Sequence, residues 1–98
     1  MGQKHMIWKW LENKRPVCIA VKTRKEGNIT VACNSRLEIV YLNITASFLV
    51  DMADGRITVS DIAKAMLEKF EVTESVLIND LVEVIRQLQW KRIIKLNE

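Results

Sequence analysis

The hydrophobic period of this 98-residue chain changes at Asn43. Up to Leu42, apolar residues alternate with other residues, which is typical of strands. After Asn43 they recur at helical spacing, and no internal repeat or low-complexity linker separates the two halves. A chain of this length supports one modest hydrophobic core. The sequence therefore predicts a single α+β domain, with its strands first and its helices second.

The first half predicts three antiparallel strands arranged as a meander. Residues 17–22 alternate, the turn "KEGN" follows, and residues 29–33 alternate again. A second turn at "NSR" leads to residues 37–42, "LEIVYL", which are rich in β-branched and aromatic side chains. Pro16 stands at the start of the first strand, where a missing N–H does least harm.

Three helices are predicted after the strands, each starting at a residue whose side chain can accept a hydrogen bond from the first turn. The candidate caps are Asn43 or Thr45, Thr58 or Ser60, and Thr73 or Ser75. The first helix should end at Asp54-Gly55, where glycine suits the left-handed position after a helix. The second should run to Phe70 and the third to about Lys91. The last residues, "RIIKLNE", predict a short strand or an ordered tail.

The third helix carries two apolar stripes. Leu77, Leu81, Val84 and Leu88 form one stripe, and Ile78, Val82 and Ile85 form the other. The second stripe lies about 90° around the helix from the first, so the apolar arc is wider than one packing surface requires. Two interpretations follow. The helix is buried on two sides, by the third strand and by Trp8 or Trp10, or one stripe borders an apolar groove that receives a ligand.

The charge is uneven along the chain. Residues 1–36 carry eight Lys or Arg against two Glu, a net charge of +6, whereas residues 37–98 carry seven basic against ten acidic residues, a net charge of −3. The basic part indicates either an acidic partner or a solvated strand face whose cations guard a sheet edge. No apolar run approaches the roughly 18 residues of a membrane span, and no signal peptide is visible. We expect a cytosolic protein that does not enter a membrane.

Residues that would carry catalysis are scarce. The single histidine is His5, three glycines form no phosphate loop, and no nucleophile pairs with a base in a recognisable pattern. Cys18 and Cys33 are not in a metal-ligand cluster, and we expect them to point to opposite faces of the sheet and stay reduced. The sequence predicts no enzyme activity, no metal site and no cofactor.

Residues 37–96 resemble the PqqD family, named for the peptide chaperone of pyrroloquinoline quinone biosynthesis. The resemblance runs through "LNITASFLVDMADGRITVSDIAKAMLEKFEV" and the following "INDLVEVIRQLQWKRII". The matching residues are Leu42, Asn43, Thr45, Ala46, Asp54, Gly55, Thr58, Val59, Ile62, Ala63, Phe70 and Val72. No single motif is decisive, but the ordered set is hard to obtain by chance.

The resemblance implies a winged-helix-like fold and a function. Domains of this kind, also called RiPP recognition elements, bind the leader segment of a ribosomally made precursor peptide and present its core to a modifying enzyme. The leader adds as a strand beside the third β-strand and lies against the third helix, so that main-chain hydrogen bonds supply affinity and side-chain pockets supply specificity. Residues 16–98 would form this domain, after an N-terminal extension of residues 1–15.

The resemblance also implies site residues and partners. The receiving strand would be Leu37, Glu38, Ile39, Val40, Tyr41 and Leu42, and the helix would contribute Ile78, Val82, Ile85, Arg86 and Gln89. A domain that stands alone implies a precursor peptide and separate enzymes. These would be a leader peptidase and a cyclase, as in lasso-peptide pathways, or a radical SAM enzyme, and the lasso type is slightly favoured. We expect a monomer or a weak homodimer, since the exposed third strand could pair with its own copy.

A winged-helix DNA-binding regulator is the alternative, because it shares the helical layout and a positive net charge. The helix that would enter the major groove begins with Glu74 and continues with Asp80 and Glu83, and its basic residues start only at Arg86. Phosphate contacts need cations near the groove. We therefore expect only weak binding to nucleic acid without sequence preference.

Overall fold

Four helices and five strands make up the described part of the chain. The computed structural model describes the backbone of residues 2–98 and the side chains from Met6 onward. The elements, in chain order, are α1 (Gly2–Leu11), β1 (Arg15–Cys18), β2 (Lys22–Glu26), β3 (Ile29–Cys33), β4 (Ile39–Tyr41), α2 (Ile44–Met52), α3 (Val59–Lys69), α4 (Glu74–Trp90) and β5 (Ile94–Asn97). The α+β class with a three-stranded antiparallel sheet is confirmed, and the layout is compatible with a winged-helix-like description.

The three-stranded sheet has the order β2-β3-β4 and is antiparallel throughout. The prediction of its first strand at residues 17–22 was wrong. Glu26 lies opposite Ile29, so a two-residue turn at Gly27 and Asn28 fixes the hairpin, and Gly27 takes the positive φ that such a turn requires. That register places Lys22–Glu26, rather than the apolar residues before it, opposite β3.

The apolar segment before β2 belongs to a second, two-stranded sheet. β1 pairs antiparallel with β5, with Arg15 opposite Asn97 and Cys18 opposite Ile94. The predicted C-terminal strand is thus present, and its partner is the first strand of the chain. Cys18 and Cys33 are both free, and they lie in different sheets.

The turn after α2 packs closely against β1. Gly55 donates its backbone N–H to the Pro16 carbonyl at 2.9 Å and has a φ of 83°. A Cβ atom on Gly55 would come within 2.7 Å of Val17 Cγ2. Both the backbone conformation and the close approach therefore require glycine at this position.

The predicted helix starts are confirmed. Asn43 caps α2, accepting the Ala46 N–H at 2.8 Å. Thr58 caps α3 in a reciprocal arrangement with Asp61, and Thr73 precedes α4 without a side-chain cap bond.

Helix α4 occupies the centre of the helical layer and contacts α1, α2, α3 and β5. The side chains of Trp8 and Leu11 on α1 are buried against the same core, whereas Trp10 is exposed. Burial of α4 beside Trp8 is therefore confirmed, whereas the predicted cover by the third strand is not seen, because α4 contacts α1, α2, α3 and β5. Whether residues 1–15 form a separate extension stays a prediction. Among residues 2–98, no helix is long and apolar enough to cross a membrane.

Candidate functional site

Strand β4 is an edge strand with unpaired peptide groups. Leu42 donates its N–H to the Thr30 carbonyl, and the Glu38 carbonyl accepts the Asn34 N–H. Because antiparallel strands alternate the direction of their peptide groups, Val40 also faces β3, while the N–H and C=O groups of Ile39 and Tyr41 point away from it. Two donors and two acceptors are thus directed toward a strand that could pair here.

The side chains of β4 divide between the two faces of the sheet. Ile39 and Tyr41 lie on the outer face and are 59% and 63% exposed. Val40 lies on the opposite face and packs, half-buried, against the core. A strand added beside β4 would alternate in the same way, so every second side chain would point toward α4.

A cleft separates β4 from α4. Its volume is about 150 Å³. The lining residues are Val40, Tyr41, Leu42, Asn43 and Ala46 on the β4–α2 side, and Val84, Gln87, Leu88 and Lys91 on α4. Apolar side chains from both sides share the lining with the polar groups of Asn43, Gln87 and Lys91, so the cleft can take an apolar side chain beside hydrogen-bonding groups.

The structure corrects the predicted helix wall. Val82 and Ile85 are fully buried in the core, and they do not line the cleft beside β4. Ile78 is half-buried on the side of α4 that meets α1 and α3, beside Trp8. The wall instead comes from the other stripe, through Val84 and Leu88. Sequence periodicity shows which residues share a face, but it does not show which neighbour covers that face.

The other predicted residues lie in different surroundings. Leu37 and Glu38 precede β4, which is shorter than predicted, because Leu37 adopts a left-handed φ of 64°. Leu42 is buried in the core. Arg86 is exposed next to the cleft, in a cavity it shares with Gln87. Gln89 lies roughly 140° around the helix from Val84 and so faces away from the cleft. Contact of any of these residues with a peptide stays a prediction.

Asn34 positions the cleft, a role that the sequence did not reveal. Its side chain is 1% exposed, and Nδ2 donates to the Lys91 carbonyl at 2.9 Å and to Glu38 Oε1 at 2.7 Å. Its Oδ1 accepts the N–H groups of Arg36 and Glu38, both at 2.9 Å. The segment that precedes β4 is therefore hydrogen-bonded to the C-terminal end of α4. The turn "NSR" was the available signal, since Asn commonly bonds its own turn backbone.

Ser47 fixes the other end of the site. Its hydroxyl accepts the Thr30 N–H at 2.7 Å and donates to the Leu42 carbonyl at 3.3 Å. The Thr30 hydroxyl donates to Asp51 Oδ1 at 2.9 Å, and Lys25 pairs with Asp51. These bonds hold the corner between β4 and α2 against β3, so both ends of β4 have fixed positions.

Chemically reactive arrangements are not seen among the described residues. No group of three or more His, Cys, Asp or Glu side chains from Met6 onward could hold a metal ion. The Arg56 backbone N–H lowers the pKa of Asp54, and the Lys14 ammonium group lowers the pKa of Glu98. Neither carboxyl group lines the cleft. What the cleft offers is hydrogen-bonding backbone and a lining of mixed apolar and polar side chains.

The family model for coenzyme PQQ synthesis protein D matches residues 31–94, from β3 through the start of β5. The chain belongs to the PqqD family. The matched region contains both sides of the cleft, β4 and α4, and excludes α1, β1 and β2. PqqD proteins are peptide-binding accessory partners in biosynthesis. Comparison with curated proteins and with solved structures gives no match to this chain.

Proposed function

We propose that this chain binds the leader segment of a ribosomally made precursor peptide and delivers the peptide to a modifying enzyme. The observation that carries the proposal is the free edge of β4 beside a cleft whose lining includes Val84 and Leu88. The unpaired groups of Ile39 and Tyr41 would hold the leader backbone as an additional strand. An apolar side chain of the leader would enter the cleft against Val84 and Leu88.

Membership of the PqqD family supports the same assignment, because peptide binding is the family's role. The bound peptide would then pass to a modifying enzyme. We infer either a leader peptidase with a lasso-type cyclase, which we slightly favour, or a radical SAM enzyme. In both cases the chain itself supplies binding and no catalysis. The free thiols of Cys18 and Cys33 support a cytosolic setting.

The charge on α4 disfavours the DNA-binding alternative. Glu74, Asp80 and Glu83 are exposed on α4, N-terminal to its first basic residue, Arg86. Carboxylates there would face phosphate groups in a major groove. A nanomolar, sequence-selective DNA complex at physiological salt would support the alternative over the peptide proposal.

A display experiment tests the proposal and does not require the precursor to be identified. A phage library of random 20-residue peptides is panned on the immobilised full chain, with Val84→Asp as the counter-selecting bait. We expect enriched peptides with apolar residues at every second position, because a paired strand sends alternate side chains into the cleft. Enrichment of a helical repeat, or of peptides that bind Val84→Asp equally well, would contradict strand addition in this cleft.

A further inference from the structure

Trp90, the last residue of α4, is the most exposed large apolar side chain among residues 6–98, at 87%. Isolated apolar side chains are common on protein surfaces, so exposure alone indicates no site. Trp90, however, lines a shallow cavity of about 400 Å³ together with Glu83, Arg86, Gln87 and Lys91. We call this cavity the Trp90 platform.

The Trp90 platform is continuous with the cleft beside β4. Gln87 and Lys91 line both of them. A peptide that leaves the cleft across these two residues therefore meets the Trp90 ring. The bond from Asn34 to the Lys91 carbonyl fixes this end of α4 relative to β4, so the two surfaces keep a constant spacing.

The chemistry of the platform differs from that of the cleft. Arg86 and Lys91 bring two cations to the ring, against the single carboxylate of Glu83, and the exposed Arg92 follows directly. The platform is therefore net positive and carries an aromatic face. It complements a segment in which a carboxylate stands next to a flat or aliphatic side chain, because the cations pair with the carboxylate and the ring packs against its neighbour.

We propose that the Trp90 platform is a second subsite that binds an acidic segment of the same peptide, adjacent to the apolar segment paired with β4. The inference rests on the proposed function, since the peptide in the cleft is what brings the acidic segment to the platform. Joining the two contacts in one peptide makes the second one effectively intramolecular, so a modest interaction is sufficient. The cleft beside β4 and the charged platform would together select a peptide that neither could select alone.

The test uses synthetic peptides taken from the display experiment on the full chain. We expect Asp or Glu to be enriched on one side of the alternating apolar segment. Replacing those residues with Asn or Gln should weaken binding about fivefold at low salt and less at high salt. Trp90→Ala should weaken binding about tenfold, because the ring would become buried against the peptide and its truncation removes that packing, and Trp90→Phe should restore much of the loss.

A matched charge change provides the control. Lys91→Glu should weaken the acidic peptide about fivefold, whereas Lys64→Glu, an equal charge change on the exposed side of α3, should leave binding within about twofold. If selected peptides protect the Ile39 and Tyr41 amides from exchange but bind Trp90→Ala and Lys91→Glu as they bind the wild-type chain, the second subsite is refuted and the proposed function stands. If no selected peptide protects those amides, the proposed function fails, and the subsite fails with it.

Discussion

The two edges of the three-stranded sheet expose the same pattern of backbone N–H and C=O groups, but their side chains differ in polarity. By the register, Thr23 and Lys25 on β2 direct their N–H and C=O groups outward, as Ile39 and Tyr41 do on β4. All five side chains of β2, "KTRKE", are exposed, and four of them are charged. The exposed side chains of β4 are apolar. The β4 edge also borders the cleft to α4, which β2 does not line.

This difference shows how a small sheet can leave one edge open and close the other. Charged side chains on an edge strand oppose pairing with another chain, because pairing would bury or crowd their charges. β2 has this protection, and β4 lacks it. β4 is instead protected by its length of three residues and by the left-handed residue Leu37 before it. An edge that is short, apolar and bordered by a cleft favours a short peptide over a second sheet.

The largest effect is expected at the α4 side of the cleft, which borders the β4 edge and not the β2 edge. Val84→Asp places a carboxylate in the cleft and should weaken peptide binding by on the order of a hundredfold, because the charge would lie against an apolar side chain. The domain should remain folded, since Val84 is only half-buried. Binding by fluorescence anisotropy and folding by circular dichroism measure the two effects.

Val82→Asp is the matched variant on the buried stripe. Val82 is 0% exposed, so an unpaired carboxylate there should lower the free energy of unfolding by at least about 4 kcal/mol. A Val82→Asp protein as stable as Val84→Asp would show that the core lies elsewhere on α4.

The second-largest effect on peptide affinity is expected from proline substitutions on the two edge strands. Ile39→Pro removes one outward N–H at the first residue of β4, a position where strands tolerate proline. Peptide affinity should fall about tenfold, because a backbone bond is lost and the ring crowds the incoming strand. Thr23→Pro removes the corresponding outward N–H on β2 and should leave affinity within about twofold. Equal losses in the two variants would mean that the edges are not different in function.

The smallest effect on peptide affinity is expected at Asn34, whose hydrogen bonds join the segment before β4 to the end of α4. Asn34→Ala removes the bonds to the Lys91 carbonyl and to the turn backbone, which should cost about 1–3 kcal/mol of stability. Under conditions where the variant is folded, peptide affinity should still fall about threefold, because the cleft end is no longer fixed. Asn28→Ala, in the exposed turn of the β2 hairpin, should change neither quantity appreciably. Unchanged peptide affinity in Asn34→Ala would show that Asn34 does not position the cleft.

Local features of the fold could be predicted from the sequence. The helix caps at Asn43 and Thr58 depend on a few adjacent residues, and so does the end of α2 before Gly55. The position of β4 followed from its composition and from the cap directly after it. The family resemblance added the hypothesis that this strand and α4 form the two sides of one site.

Features that depend on distant partners could not be predicted. β1 pairs with β5, whose residues are at the other end of the chain, and no local pattern indicates that choice. The period of α4 located both apolar stripes, yet the side facing β4 was assigned to the wrong one, because α1 covers α4 on the side of Ile78. The role of Asn34 likewise depends on a carbonyl 57 residues away.

Amide hydrogen exchange of the ¹⁵N-labelled full chain, with and without a saturating selected peptide, tests strand addition to β4 most directly. In the free chain, the N–H groups of Val40 and Leu42 should be protected by β3, and those of Ile39 and Tyr41 should exchange rapidly. Strand addition to β4 predicts that the peptide slows exchange at Ile39 and Tyr41 and leaves Thr23 and Lys25 unchanged. Rapid exchange at Ile39 and Tyr41 in the saturated complex, or protection appearing on β2 instead, would contradict it.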